Sequence, residues 1–141
     1  MAALAEIPEG SYAGAGAVAR DIGAPQNYLG KLLQTLARSG LVRSQKGLGG
    51  GFCLARDPEE ISLFDVVEPI EHVSRWNRCF LRHGRCSGAM PCAVHHRWAR
   101  VRDSYLEFLK TTSVADLAPG ESKRRRGRGA HRPLPAQRDA G

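Results

Sequence analysis

Between residues 26 and 39 the apolar positions Leu29, Leu32, Leu33 and Leu36 recur at steps of three and four, the spacing of one helix face. Gly40 follows, where a helix end favours glycine. A shorter helix over residues 14–22 precedes it across the break Gly23-Ala24-Pro25. Residues 1–7 read as the end of another helix, closed by Pro8-Glu9-Gly10. Two helices joined by a tight glycine-containing turn outline a helix-turn-helix. The period then changes. Residues 41–45 are strand-like, KGLGGG (46–51) is a turn, and residues 52–54 return as a second strand, so a β-hairpin wing follows the helix pair. Alternation puts Cys53 on the face opposite Phe52 and Leu54, as a bystander thiol.

Ser62 can cap, and Asp65 favours, the first turn of a short helix that runs to residue 70 or 71. From Val94 to Lys110 a long helix is expected, with Val94, Trp98, Val101, Tyr105 and Phe108 at alternating steps of four and three and Leu109 widening the stripe. Such a seam suits packing on a twin from a second chain, and periodicity alone serves packing within its own domain equally well. Residues 112–117 form a short last element, and the Gly/Arg-rich stretch beyond Pro119 has no apolar face to bury and reads as disordered. The expected fold is mainly α with a small β-hairpin wing. It divides into a winged helix-turn-helix (1–71), a cysteine loop with a long dimerisation helix (72–118) and a basic tail (119–141).

Charge sharpens this picture. The chain of 141 residues carries a net +7, and the excess sits in two blocks. Residues 20–56 hold six Lys/Arg against Asp21 alone, and residues 119–141 hold seven against Glu121 and Asp139, a net +5 in each case. Positive blocks of this kind favour a polyanion, most simply duplex DNA. An RNA-binding role led by the Arg-rich tail is the weaker alternative, because a wing belongs to DNA readers. Helix-turn-helix proteins set the start of the second helix against base edges. Here that start is Pro25, Gln26, Asn27 and Tyr28, with Lys31 one turn on. Gln26 and Asn27 can make paired hydrogen bonds to adenine, while Lys31, Arg43 and Lys46 suit phosphates.

No apolar run reaches membrane-spanning length and no secretory signal opens the chain, so a cytoplasmic protein with no membrane partner is expected. Thiols stay reduced there. The stretch CFLRHGRCSGAMPCAVHH (79–96) holds three of the four cysteines and three of the five histidines. With Gly, Pro and Ser between its thiols it lacks the makings of a core, and a bound cofactor is expected to order it. The spacing Cys79-x6-Cys86-x5-Cys92 is wider than the paired knuckles typical of zinc and tolerable for the larger iron–sulfur clusters, of 2Fe–2S or 4Fe–4S type. A fourth ligand follows at His95, about one turn into the long helix, ahead of its rivals His83 and His96. Arg78, Arg82, Arg85 and Arg97 surround the thiols in sequence and would offset negative charge. A zinc site or a thiol switch is the alternative. No Ser/His/Asp set, carboxylate pair, phosphate-binding glycine motif or HExxH is found, so an enzyme is not expected.

The segments NYLGKLLQTLARSGLVRSQKGLGGGFCLA (27–55), EISLFDVVEPIE (60–71), the cysteine triplet and FLKTTSVADLA (108–118) together resemble the Rrf-type winged-helix regulators, typified by the iron–sulfur cluster assembly regulator IscR and the nitric-oxide-sensitive repressor NsrR. The resemblance runs to about residue 118 and implies a homodimeric transcriptional repressor acting on near-palindromic DNA. It also implies that cluster state alters DNA affinity, although some members carry no cluster. His95 stands where the cluster assembly regulator has its histidine ligand. Met1-Ala2-Ala3-Leu4 resembles the final turns of the family's longer first helix, and the basic tail lies outside the family pattern.

Overall fold

The computed structural model describes residues 1–81 and 84–117. Arg82, His83 and the basic tail lie outside the described residues. In chain order come α1 (Ala2–Ala5), α2 (Ala15–Asp21), α3 (Gln26–Arg38), β1 (Val42–Gln45), β2 (Gly51–Leu54), α4 (Leu63–Glu71), a 3-10 turn (Val73–Asn77), α5 (His95–Thr111) and α6 (Val114–Leu117).

The leucine periodicity of α3 works as expected. Leu29, Leu33 and Leu36 are buried, with Leu32 partly so. They meet Leu4 of α1, Val18 and Ala19 of α2, and Phe52 of the wing in one core. Gly40 ends the helix with φ of 73°. β1 and β2 pair antiparallel, with Val42 opposite Leu54 and Arg43 opposite Cys53. Phe52 faces the core. Its backbone also exchanges two hydrogen bonds with Ala13, at 2.8 and 3.0 Å, so the wing is stitched to the segment before α2. That close approach requires a glycine at position 51. Gly51 has φ of 150°, and a Cβ there would collide with the Ala13 carbonyl.

Ser62 caps α4 in a full capping box. Its hydroxyl accepts from Asp65 N–H, and the Asp65 carboxylate accepts from Ser62 N–H. Ile61 and Val114 are wholly buried and joined by the 2.8 Å bond from Val114 N–H to the Ile61 carbonyl. Both belong to the core cluster around Leu4, so the segment after α5 returns to the winged unit. α4 ends at His72, whose φ of 52° is the one positive value outside glycine among the described residues. This left-handed cap turns the chain into the 3-10 element. There the Glu68 carboxylate accepts from the Ser74 N–H and hydroxyl at 2.8 and 2.6 Å, and both bonds hold it below its ordinary pKa.

Candidate nucleic-acid interface and cysteine site

The residues expected to meet DNA fall on α3 and on the wing. Pro25 caps α3, and Gln26, Asn27, Tyr28 and Lys31 follow in its first turns, all exposed. The Gln26 amide rests over Gly16 of α2, where a side chain would crowd it. A groove of about 510 Å³ runs beside them, lined by Gln26, Asn27, Lys31, Gln34 and Arg38 of α3, with Phe52 of the wing at its wall. Gln34 and Arg38 were not among the expected contacts. Their signal was present, since each continues the Gln26–Asn27–Lys31 face at helical spacing. Arg43 and Lys46 are exposed on β1 and the wing turn.

Backbone hydrogen bonds join the described parts of the cysteine loop. Arg78 and Arg85 form an antiparallel bridge. Cys79 N–H donates to the Gly84 carbonyl at 2.9 Å, and Cys86 N–H to the Asn77 carbonyl at 2.8 Å. Further contacts come from outside the loop. Trp98 of α5 donates its indole N–H to the Arg78 carbonyl at 3.2 Å. Its ring meets Phe80 at 5.4 Å and Trp76 at 6.0 Å, and Trp76 stacks on Tyr105 at 4.8 Å. Trp98 and Tyr105 thus pack on their own chain's 3-10 turn. Val101 and Phe108 remain 61% and 52% exposed, Leu109 is buried, and Val94 is the N-terminal flank of α5.

Alternation across the bridge sets Cys79 and Cys86 on one ribbon face and Arg78 and Arg85 on the other. Arg78 and Arg85 nevertheless line one cavity together with Cys79. His95 is the first residue of α5, earlier in the helix than expected, and its N–H donates to the Cys92 carbonyl at 2.9 Å. Its Nδ1 lies 3.2 Å from Cys86 Sγ. His96 is exposed, and its ring stands edge-to-face with that of His95 at 5.1 Å. Arg102 of α5 is held above its ordinary pKa, first by the hydrogen bond its Nε donates to Asp103 at 2.8 Å. Asp103 is held below its ordinary value by the 2.8 Å contact with Arg102 Nε.

The donor set has the chemistry an iron–sulfur cluster uses, thiolates with an imidazole, each partly buried. Cys86 and His95 already touch, Cys79 shares the Cys86 face, and Cys92 is tied by its carbonyl to His95. In donor type and connection the residues fit such a group. Among the described residues, however, no three His, Cys, Asp or Glu side chains converge on a single point. Cys53 lies apart, lining a separate cavity with Arg43 and Arg56.

A helix-turn-helix followed by a hairpin wing, with basic side chains on both, defines a winged-helix DNA-binding transcriptional regulator. Residues 1–120 match the family model Rrf2, described as an iron-dependent transcriptional regulator. The chain belongs to the Rrf2 family, whose members are regulators and not enzymes. It is 35% identical over 101 residues to an HTH-type transcriptional regulator of Aquifex aeolicus, spanning 70% of each chain. Over 115 residues it is 30% identical to the transcriptional regulator IscR of Cronobacter sakazakii, spanning 79% of this chain and 70% of that one. Among solved structures, CymR, the global cysteine regulator of B. subtilis, superposes with a TM-score of 0.70 at 26% identity, covering 83% of this chain and 85% of that one. CymR of Staphylococcus aureus in its oxidised form gives 0.65 at 26% identity, over 85% and 87%. No helix among the described residues is long and apolar enough to cross a membrane.

Proposed function

We propose that this chain is a cytoplasmic homodimeric repressor whose grip on a near-palindromic operator is set by an iron–sulfur cluster on Cys79, Cys86, Cys92 and His95. The observation that carries the reading is the Cys86–His95 contact at the first residue of α5. It ties the cysteine ribbon to the helix that also bears the exposed Val101 and Phe108. When bound, the group supplies one-electron redox chemistry and a target for nitric oxide. The protein's own residues do the rest. The three thiols and the imidazole would hold the group against the start of α5, and Trp98 pins the ribbon to the first turn of that helix. Val101 and Phe108 offer the surface for a second copy, and two-fold symmetry then spaces two α3 helices for two half-sites.

A cofactor shifts DNA affinity only through its differential affinity for two arrangements of the dimer, commonly about 1–3 kcal/mol, or about 5- to 150-fold. Anaerobic purification with an absorption spectrum and iron and sulfide assays tests the reading. The triple Cys→Ala variant at 79, 86 and 92 should be colourless and iron-free, whereas Cys53→Ala should keep both. Zinc in the wild type, or equal DNA affinity with and without the cluster, refutes it.

A second reading has its own support. No three ligands converge among the described residues, and one structural relative is a CymR solved in an oxidised form. In that reading the same ribbon works as a thiol switch on the same winged helix. Reversible DNA release by a disulfide-forming oxidant, in iron-free protein, distinguishes it.

A further inference from the structure

The tip of the wing carries an apolar side chain that no described residue covers. Leu48 is the most exposed large hydrophobic residue among the described residues. Gly50 N–H donates to the Gly47 carbonyl at 3.0 Å, which closes a four-residue turn with Leu48 and Gly49 at its centre. The φ of 75° at Gly49 suits the third position of a type II turn, where glycine is favoured. A Cβ at Gly50 would collide with the Gln45 carbonyl, so the turn folds tightly back on β1 and holds Leu48 at its apex. The surrounding surface is basic. Arg43 and Lys46 are exposed, and no Asp or Glu occurs between Asp21 and Asp57. At the base of the wing, Phe52 walls the groove that also holds Gln26 and Asn27. Four residues separate Phe52 from Leu48, a reach of up to about 13 Å. That is comparable with the major groove of DNA, about 12 Å wide.

We infer that Leu48 is a specificity-determining residue for DNA binding: it enters the minor groove next to the major groove that α3 reads, and disfavours G·C pairs there. The inference rests on the docking of α3 proposed above. With Gln26 and Asn27 at base edges, the wing tip crosses one phosphate strand, with Lys46 and Arg43 for its phosphates. An apolar side chain gains nothing from phosphates. It gains by leaving water against sugars and base edges, and leucine is among the side chains that enter minor grooves. A·T and T·A pairs present only acceptors on the minor-groove floor, and G·C adds the guanine 2-amino donor. That amino group stands up from the floor and takes the space the side chain needs. Against Leu48 it also loses its water without gaining a partner, so a G·C pair costs affinity. The preference is for A·T over G·C, with either orientation of the A·T pair accepted.

The test uses full-length protein and duplexes that the wild type enriches from a random-sequence pool. Each A·T pair flanking the α3 contacts is replaced in turn by G·C or by inosine·C. Inosine lacks the 2-amino group, so its pair with C matches G·C in the major groove and A·T in the minor groove. At one flanking position in each half-site, wild-type affinity should fall about tenfold with G·C and recover with inosine·C. Leu48→Ser should bind the A·T duplex more weakly and lose most of the G·C penalty, whereas Leu48→Met, still apolar, should keep it. Neither change removes a charge, so the salt slope should stay that of the wild type. A G·C penalty equal in wild type and Leu48→Ser at every position, or one that inosine does not relieve, overturns the role of Leu48 and leaves the docking of α3 standing. Unaltered salt slopes in both Lys31→Ala and Lys46→Ala overturn that docking and this inference with it.

Discussion

The Cys86 sulfur lies 3.2 Å from Nδ1 of His95, nine residues on, and this contact joins a loop of thiols to the first turn of the longest helix. With Nδ1 turned to Cys86, the other ring nitrogen is left for further partners. His96, exposed at the next position, shares none of this. His95→Ala should therefore lower iron content or visibly change the absorption and EPR spectra, while His96→Ala should leave both as in the wild type. The reverse pattern would transfer the ligand role to His96.

Lys31 and Lys46 stand exposed on α3 and the wing turn, where phosphates would pass. Each Lys→Ala change should weaken binding to all duplexes alike and reduce the slope of log affinity against log salt by about one unit. Gln26→Ala should instead relax preference at particular bases. Binding titrations over a range of salt concentrations check both. Unaltered slopes in both lysine variants would remove this face from the interface.

Gly51→Ala should destabilise the fold by about 1–3 kcal/mol, because a side chain is unfavourable at this φ and its Cβ meets the Ala13 carbonyl. Denaturant melts measure the loss. Gly49→Ala provides the contrast, since its Cβ would meet no atom within 4 Å and only the backbone cost applies. A Gly51→Ala protein as stable as the Gly49→Ala one would show that the wing is not held against Ala13 in solution.

Val101 is 61% exposed midway along α5. If this surface meets a second copy, Val101→Glu should turn the sedimenting species from dimer to monomer at micromolar concentration, and DNA affinity should fall with it. A dimer that persists in the variant would place the two-fold contact elsewhere.

Much of the winged unit was legible in the sequence because its signals are local. Leucines at steps of three and four, Gly40 past a helix end, Ser62 three residues before Asp65 and a glycine-rich turn between two short strands each act within a few residues of themselves. The same holds for the basic face of α3 and for the cysteine spacing. Tertiary structure decided the rest. The partners of the loop lie far along the chain: Trp98 for Arg78 and His95 for Cys86. The α5 seam was ambiguous because one period serves an internal and an external neighbour alike. Folding put Trp98 and Tyr105 against Trp76 and left Val101 and Phe108 in solvent. Side-chain chemistry and short-range geometry determine what each segment can be, whereas which segments meet depends on chain closure and packing over distances no local period records.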